Sequence, residues 1–313
     1  MQRIVRLPDG ERVVYEGVVI PDAWVVRTRE ANGHREVSFA NAVEWTESEE
    51  KPKWLLEDYQ ENWPGTNLSL IEEKFEKERL ERQERAREKS AQRAKTRCRW
   101  IIKAQGLNEL LTITYRENQE DRELCKKHFK EWVRRMKVAL GGDFIYCASF
   151  EKQERGAMHV HVACHKLPAH GVRKGEKIKA WKLGTEIWRS IVGADNGLCF
   201  VGGKTKNGGY RRNLSLAKLA AYVSKYILKD FHDAPKESNR YSRSNGLTPP
   251  DSVAQTYYGL SFGEMMDAVF TCADGDVIVS HRISENVFKE RRYWLVTEPQ
   301  LIYTGGGDYA YAA

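Results

Sequence analysis

The residues with the clearest chemical potential lie in Met158-His159-Val160-His161-Val162-Ala163-Cys164. The run is β-rich, and side chains alternate along a strand. His159 and His161 therefore share one face, and Val160, Val162 and Cys164 the other. Two imidazoles roughly 7 Å apart on one pleat suit a shared divalent ion. A His-x-His pair alone also fits two half-exposed strand histidines, so its neighbours decide.

The preceding residues supply a third donor. Glu154-Arg155-Gly156 fits a three-residue hairpin loop with glycine at the left-handed position. That register sets Lys152 opposite Met158 and Glu151 opposite His159, with the carboxylate about 5 Å away across the ladder. Two histidines and a carboxylate, without thiolate, favour Mg²⁺ or Mn²⁺ in phosphate chemistry over structural zinc. A longer loop would bring Glu154 forward instead. His165 shares the face but lies two pairs further along, so it reads as peripheral.

A second pattern is Tyr222-Val223-Ser224-Lys225-Tyr226-Ile227-Leu228-Lys229, within a helix expected over 214–231. At helical periodicity Leu216, Leu219, Ala220, Val223 and Ile227 form a packing stripe. Lys218, Tyr222, Lys225, Tyr226 and Lys229 form another, roughly 130° away. Amphipathic tyrosines lying over surface beside solvated lysines would show the same wheel. The alternative is nucleophilic. A phenol is a weak nucleophile at neutral pH, and nearby cations favour the phenolate and balance phosphate charge. Tyr222 and Tyr226 are one turn apart and each has a lysine three residues on, so both could address one phosphate.

Other elements must hold these residues. Leu110–Tyr115 reads as a buried strand, 121–140 as a helix, 144–150 and 158–165 as strands, 178–191 as a helix and 198–201 as a short strand. This order implies an α+β fold with a mainly antiparallel sheet. Residues 1–66 read as a small β-rich N-terminal region of short strands and turns, with Pro21-Asp22 and Asn32-Gly33 as punctuation. Residues 67–100 read as a long charged helix with Ser69 and Glu72 as a capping box and a basic end. The main domain is expected over 101–250. Residues 251–313 are expected to form a C-terminal extension packing on or completing it.

Charge adds to the picture. Lys and Arg number 51 against 44 Asp and Glu, a net charge of +7. Acid-free basic stretches run over 89–103 and 196–229, where a polyanion is the natural partner. Lys204, Lys206, Arg211, Arg212, Lys218 and Lys229 are candidate DNA-backbone contacts. Six scattered cysteines without zinc spacing fit a reduced cytoplasmic setting. Mean hydropathy is -0.64, and neither a membrane span nor a signal segment is expected. Gly202-Gly203-Lys204-Thr205 mimics a phosphate loop, but the glycine needed five residues before Gly203 is Leu198. An ATPase is therefore not expected.

With these motifs in order, the chain resembles the HUH endonuclease superfamily. It looks most like the rolling-circle replication initiators of bacteriophages and plasmids, in the two-tyrosine group typified by phage gene A proteins. Leu111–Tyr115 corresponds to the first motif, His159-Val160-His161 to the histidine motif, and Tyr222-Val223-Ser224-Lys225-Tyr226 to the tyrosine motif. Glu151 stands at a spacing seen for the third metal ligand. The resemblance covers about 97–231 and implies an HUH/RRM-like central antiparallel β-sheet flanked by helices. It also implies a metal-dependent endonuclease and strand transferase acting on single-stranded or hairpin origin DNA. Tyr222 would make the first cut, leaving a 5′-phosphotyrosine and a free 3′-OH for replication. Tyr226 would make the later transfer, with Lys225 stabilising charge. A host helicase would unwind, in the bacterial cytoplasm, and the protein would act as a monomer. An HUH transposase or mobilisation relaxase shares this chemistry. A non-catalytic DNA-binding module and a zinc-stabilised regulator are the competing classes.

Overall fold

The computed structural model describes the chain apart from residues 10, 50–67, 143, 205–209, 212–214, 230–238, 274, 306–307 and 312–313. The chain is mixed α+β and divides into two compact units. The first comprises 1–87, 251–303 and 309–313; the second comprises 88–250 and 304–308. Among the described residues no helix is long and apolar enough to cross a membrane.

In the first unit, β1 (Gln2–Arg6), β2 (Arg12–Ala31) and β3 (His34–Glu47) form an antiparallel meander. These strands are longer than the sequence reading expects. Pro21-Asp22 does not end a strand: it sits in a register shift between Val19 and Trp24, with Asp22 at φ +52°, and pairing resumes beyond it. A bulge of this kind bends a strand without terminating it. Asn32-Gly33 does turn the chain, with both residues at positive φ as a tight two-residue hairpin requires.

The helix α1 (Leu68–Ala104) contributes to both units, and its C-terminal part belongs to the second. That unit continues with β4 (Glu109–Thr114), α2 (Arg122–Ala139), β5 (Tyr146–Lys152), β6 (Met158–Cys164), the short pair β7 (His170–Arg173) and β8 (Glu176–Lys179), and α3 (Ala180–Val192). It ends with β9 (Leu198–Val201), the short pair β10 (Gly203–Lys204) and β11 (Tyr210–Arg211), α4 (Leu216–Lys229) and β12 (Tyr241–Arg243). Its main sheet has the order β12-β5-β6-β4-β9, antiparallel throughout.

Strand alternation gives this sheet two working faces. Phe150, Val160, Val162, Leu111 and Ile113 turn one way, into a core with Phe129, Trp132 and Met136 of α2 and Leu183, Ile187 and Trp188 of α3. Asp121 starts α2 by accepting hydrogen bonds from the Glu123 and Leu124 amides at 2.8 and 3.0 Å. Trp181 shares the side of the α3 wheel that carries Trp188, yet in the first turn it stays exposed. On the opposite face Leu110, Cys147 and Ala163 pack with Leu219, Ala220, Val223 and Ile227 of α4 and with Cys98, Ile101 and Ile102 of α1. The basic end of α1 is therefore not a free phosphate-binding arm. Lys103 is buried, its ammonium 5.1 Å from the Trp100 ring centroid. Cys98 and Cys147 meet in this layer with sulfurs 3.4 Å apart, a proximity that sequence spacing does not disclose.

The C-terminal extension also differs from expectation. β13 (Val253–Tyr258) pairs with β2, α5 (Phe262–Cys272) follows, and β14 (Val277–Glu285) and β15 (Arg291–Glu298) continue the first unit's sheet through β3. It does not complete the sheet that carries His159 and His161. The reason is in the partners available: β2 and β3 offer long backbone ladders, and Trp24, Phe39, Tyr293, Leu295, Met265 and Val269 close a shared core. Such non-local pairing leaves no mark in local sequence.

Gly197 stands where the end of β4 meets α3. Its φ is +124°, and a Cβ there would lie 2.2 Å from the Thr114 carbonyl oxygen and 2.7 Å from Trp188 Nε1. Trp188 Nε1 donates to that same carbonyl at 2.9 Å. Gly197→Ala is expected to lower unfolding stability by about 2 kcal/mol or more, measured by urea denaturation followed by circular dichroism; an unchanged midpoint would contradict this packing.

Candidate metal and tyrosine site

The site begins with the β5–β6 hairpin. Its loop is the three residues Glu154-Arg155-Gly156. The Gln153 amide donates to Ala157 O at 3.0 Å, and the Gly156 amide to Gln153 O at 2.8 Å. Gly156 has φ +91°, a conformation that favours glycine. The register that follows sets Glu151 opposite His159 and Ser149 opposite His161. Glu154 is exposed in the loop and is not the third donor. His165 is also exposed, with Nε2 donating to Gln105 O at 2.6 Å.

Glu151, His159 and His161 converge: their potential ligand atoms all lie within 4.8 Å of one another. Glu151 and His161 are buried and His159 is half-buried. His161 Nε2 donates to Glu151 Oε2 at 2.8 Å, which leaves Nδ1 to accept from the Thr112 hydroxyl at 3.5 Å. The other carboxylate oxygen, Oε1, receives the Lys229 ammonium at 2.6 Å. Burial works to raise the Glu151 pKa, but the hydrogen bonds from His161 and Lys229 outweigh it and hold the carboxyl below its ordinary range. His159 is pushed down to about 4, first by burial and then by the neighbouring His161. The pair is thus an ionised carboxylate beside a neutral imidazole, the protonation states in which both can ligate a cation.

The tyrosine helix lies against the same sheet face. Its apolar stripe is buried as expected, and Ser149 Oγ donates to the Val223 carbonyl at 2.7 Å, tying helix to strand. Ser149 is two residues before Glu151 on one strand face; alternation identifies that face, but only the folded chain discloses the bond. The tyrosines are not solvated surface residues. Tyr226 is buried, with its ring stacked on His161 at 4.1 Å between centroids and 13° between planes. Tyr222 is half-buried, edge-on to both His161 and Tyr226 at 5.3 Å. The Lys225 ammonium stands 4.5 Å from the Tyr222 ring centroid and 4.7 Å from that of Tyr226, a cation–π arrangement. Burial, then the Tyr222 hydroxyl, pushes the Tyr226 phenol pKa up. As it stands, Tyr226 is a protonated, hydrogen-bonding phenol.

The expected DNA contacts fare differently. Lys218 is exposed on α4. Lys229 is engaged by Glu151, a correction to its reading as a free backbone contact. Its partner arises because the last turn of α4 ends over the β5–β6 hairpin. Lys204 and Arg211 lie on the β10–β11 ladder. Lys206 and Arg212 fall outside the described residues. Gly203-Lys204 is strand backbone, so the phosphate-loop mimic is an antiparallel pair.

Residues 108–231 match a family model for replication-associated proteins of the ORF2 type. The match runs from the start of β4 past the end of α4, so it includes every residue of the cluster. It supports a role as a replication initiator. No curated protein and no solved structure matches the chain.

The depressed His159 pKa carries a stability consequence with a definite sign. Unfolded, this imidazole takes a proton near 6.5; folded, not until about 4. Between those values the unfolded state binds more protons, so stability is fully present above about pH 6.5 and falls as pH drops toward 4. Thermal melts at pH 7, 5.5 and 4.5 are expected to show this decline, and His159→Gln to flatten it. An equal decline in the variant would contradict the assignment.

Proposed function

We propose that the second unit is a metal-dependent DNA endonuclease and strand transferase that initiates rolling-circle replication. It nicks and rejoins single-stranded or hairpin origin DNA through a 5′-phosphotyrosine intermediate. The observation that carries this reading is the packing of both tyrosine rings on His161, one of three convergent metal-type donors, beneath the Lys225 ammonium. A non-catalytic DNA-binding module has no use for such a grouping. A zinc-stabilised regulator would use a closed, thiolate-rich donor set, whereas Glu151, His159 and His161 are oxygen and nitrogen donors.

The donor set fits a hard or borderline divalent cation, Mg²⁺ or Mn²⁺, with positions left for a phosphate oxygen. When bound, that ion supplies Lewis-acid polarisation of the scissile phosphate. The chain's own residues do the rest. Glu151 and the two imidazoles define where the phosphate sits. His161, held by Glu151 and Thr112, keeps one orientation. A tyrosine hydroxyl attacks phosphorus and the P–O3′ bond breaks. The phenolic proton leaves, and the departing oxygen becomes a 3′-OH after protonation. One phosphodiester is exchanged for another, so no nucleotide hydrolysis is needed. Lys225 opposes the charge that builds on phosphate and phenolate. Tyr222, the less buried of the two, takes the first cut, and Tyr226 the transfer that closes the displaced strand. Lys218 and the basic segment containing Lys204, Lys206, Arg211 and Arg212 follow the backbone. Unwinding falls to a host helicase in the bacterial cytoplasm, with this protein acting as a monomer.

The test is incubation with single-stranded DNA from the cognate replicon and Mn²⁺, read as a covalent protein–DNA band. Tyr222→Phe is expected to abolish the first cleavage and Tyr226→Phe to spare cleavage but block strand transfer. The double variant is expected to lose at least about 10³-fold in adduct yield. A double variant that still forms the adduct overturns the nucleophile assignment.

A further inference from the structure

Lys229 closes the cluster in a way the proposed chemistry leaves unexplained. Both oxygens of Glu151 are taken, Oε2 by His161 and Oε1 by the Lys229 ammonium. Glu151 is the one acidic member of the triad, so Lys229 brings the cluster close to neutral. The two cations are held differently. His161 is fixed between Glu151, Thr112 and the Tyr226 ring, with its side chain 3% exposed. Lys229 is the last residue of α4, on a flexible stem, with its side chain 55% exposed. Glu154 is the other acid whose charge acts on it, and it lies in the exposed hairpin loop.

A divalent ion among Glu151, His159 and His161 would put two positive charges on the carboxylate that Lys229 already holds. Like charges at such range repel strongly even in a water-like dielectric. One of the two cations must yield, and the lysine can retreat into solvent at little cost. It would not retreat far from the chemistry: Lys229 lies one helical turn beyond Lys225 and three residues beyond Tyr226, at the same end of the helix.

We propose that Lys229 is a built-in counter-cation of the metal-free site, displaced from Glu151 by the divalent ion and released toward the phosphate of a bound single strand. This rests on the metal-dependent reading above and adds a coupling to it. Lysine occupancy keeps a buried carboxylate compensated before the ion arrives. Metal binding then presents a second ammonium for DNA only when the site is loaded.

Two measurements without DNA test it. Calorimetric titration with Mn²⁺ is expected to show Lys229→Gln binding about tenfold more tightly than wild type, because the competitor is gone. In wild type, acylation of Lys229 by an amine-reactive ester, read by mass spectrometry, is expected to rise at least about threefold on adding Mn²⁺. A lysine that merely orients Glu151 from behind predicts the reverse in the first experiment, since losing an outer-shell partner weakens metal binding. Equal or weaker Mn²⁺ affinity in Lys229→Gln, or unchanged acylation in wild type, overturns the displacement while leaving the metal site standing. Wild type that binds no Mn²⁺, like a His161→Ala control, overturns the metal reading and the displacement with it.

Discussion

The pairing of β5 with β6 is the constraint from which the site follows. Side chains on a ladder alternate with period two, so a slip of one residue would exchange the contents of the two sheet faces. Here the exchange would drive Glu151, His159 and His161 into the layer occupied by Phe129, Trp132 and Trp188, and push Phe150, Val160 and Val162 out of it. Burying such apolar side chains is worth about 1.5–3 kcal/mol each, while burying an uncompensated carboxylate costs several. The register is thus enforced from the face opposite the chemistry. Gly156 contributes by allowing a loop short enough to leave no alternative pairing. Active-site geometry is here a by-product of core packing, with the donors held in place by hydrocarbon they never touch.

The same economy explains the electrostatics. A carboxylate that is 8% exposed is tolerable only with partners, and Glu151 has two. Its compensation keeps His159 neutral and leaves Tyr226 as a protonated phenol whose pKa burial has raised. A dry aromatic neighbour is a poor nucleophile in isolation. On the proposed reading, the phenolate becomes accessible only when positive charge is added, from the ion, from Lys225 and from a released Lys229. Latency without metal is what a DNA-cleaving site between substrates requires.

Legibility in the sequence tracked how local the cause was. The hairpin register was readable because loop length, the position of Gly156 and the alternation of β6 all lie within about fourteen residues. The helical stripe of α4 was readable for the same reason. The wheel separated the tyrosines from that stripe but did not show what lay across from them, so Tyr226 read as a surface residue when it is stacked on His161. Lys229 was missed as a partner of Glu151 because 78 residues separate them and a lysine three residues after a tyrosine looks like any solvated cation. The membership of 251–303 in the first sheet was illegible on the same ground, since β13 meets β2 across more than 220 positions. Length also misled: Pro21-Asp22 carries a turn signature, yet tertiary pairing on both sides converts it to a bulge.

The extent of the family match bears on how such a site stays assembled. The matched segment, 108–231, contains all the donors and both tyrosines, but it is not a complete packing unit. The layer beneath α4 draws Cys98, Ile101 and Ile102 from before the segment and Leu247 from after it. β12, also outside it, pairs with β5 on the strand that carries Glu151. Ser244 Oγ, just past β12, accepts from the Tyr146 amide at 3.1 Å. Without these flanks α4 would lose part of the floor that sets its height over the sheet, and β5 would become an exposed edge. The distance between Tyr226 and His161 is sensitive to both. The chemistry is therefore encoded in the matched segment, while the precision of its geometry is encoded in flanks free to vary in type so long as they stay apolar or keep their backbone pairing.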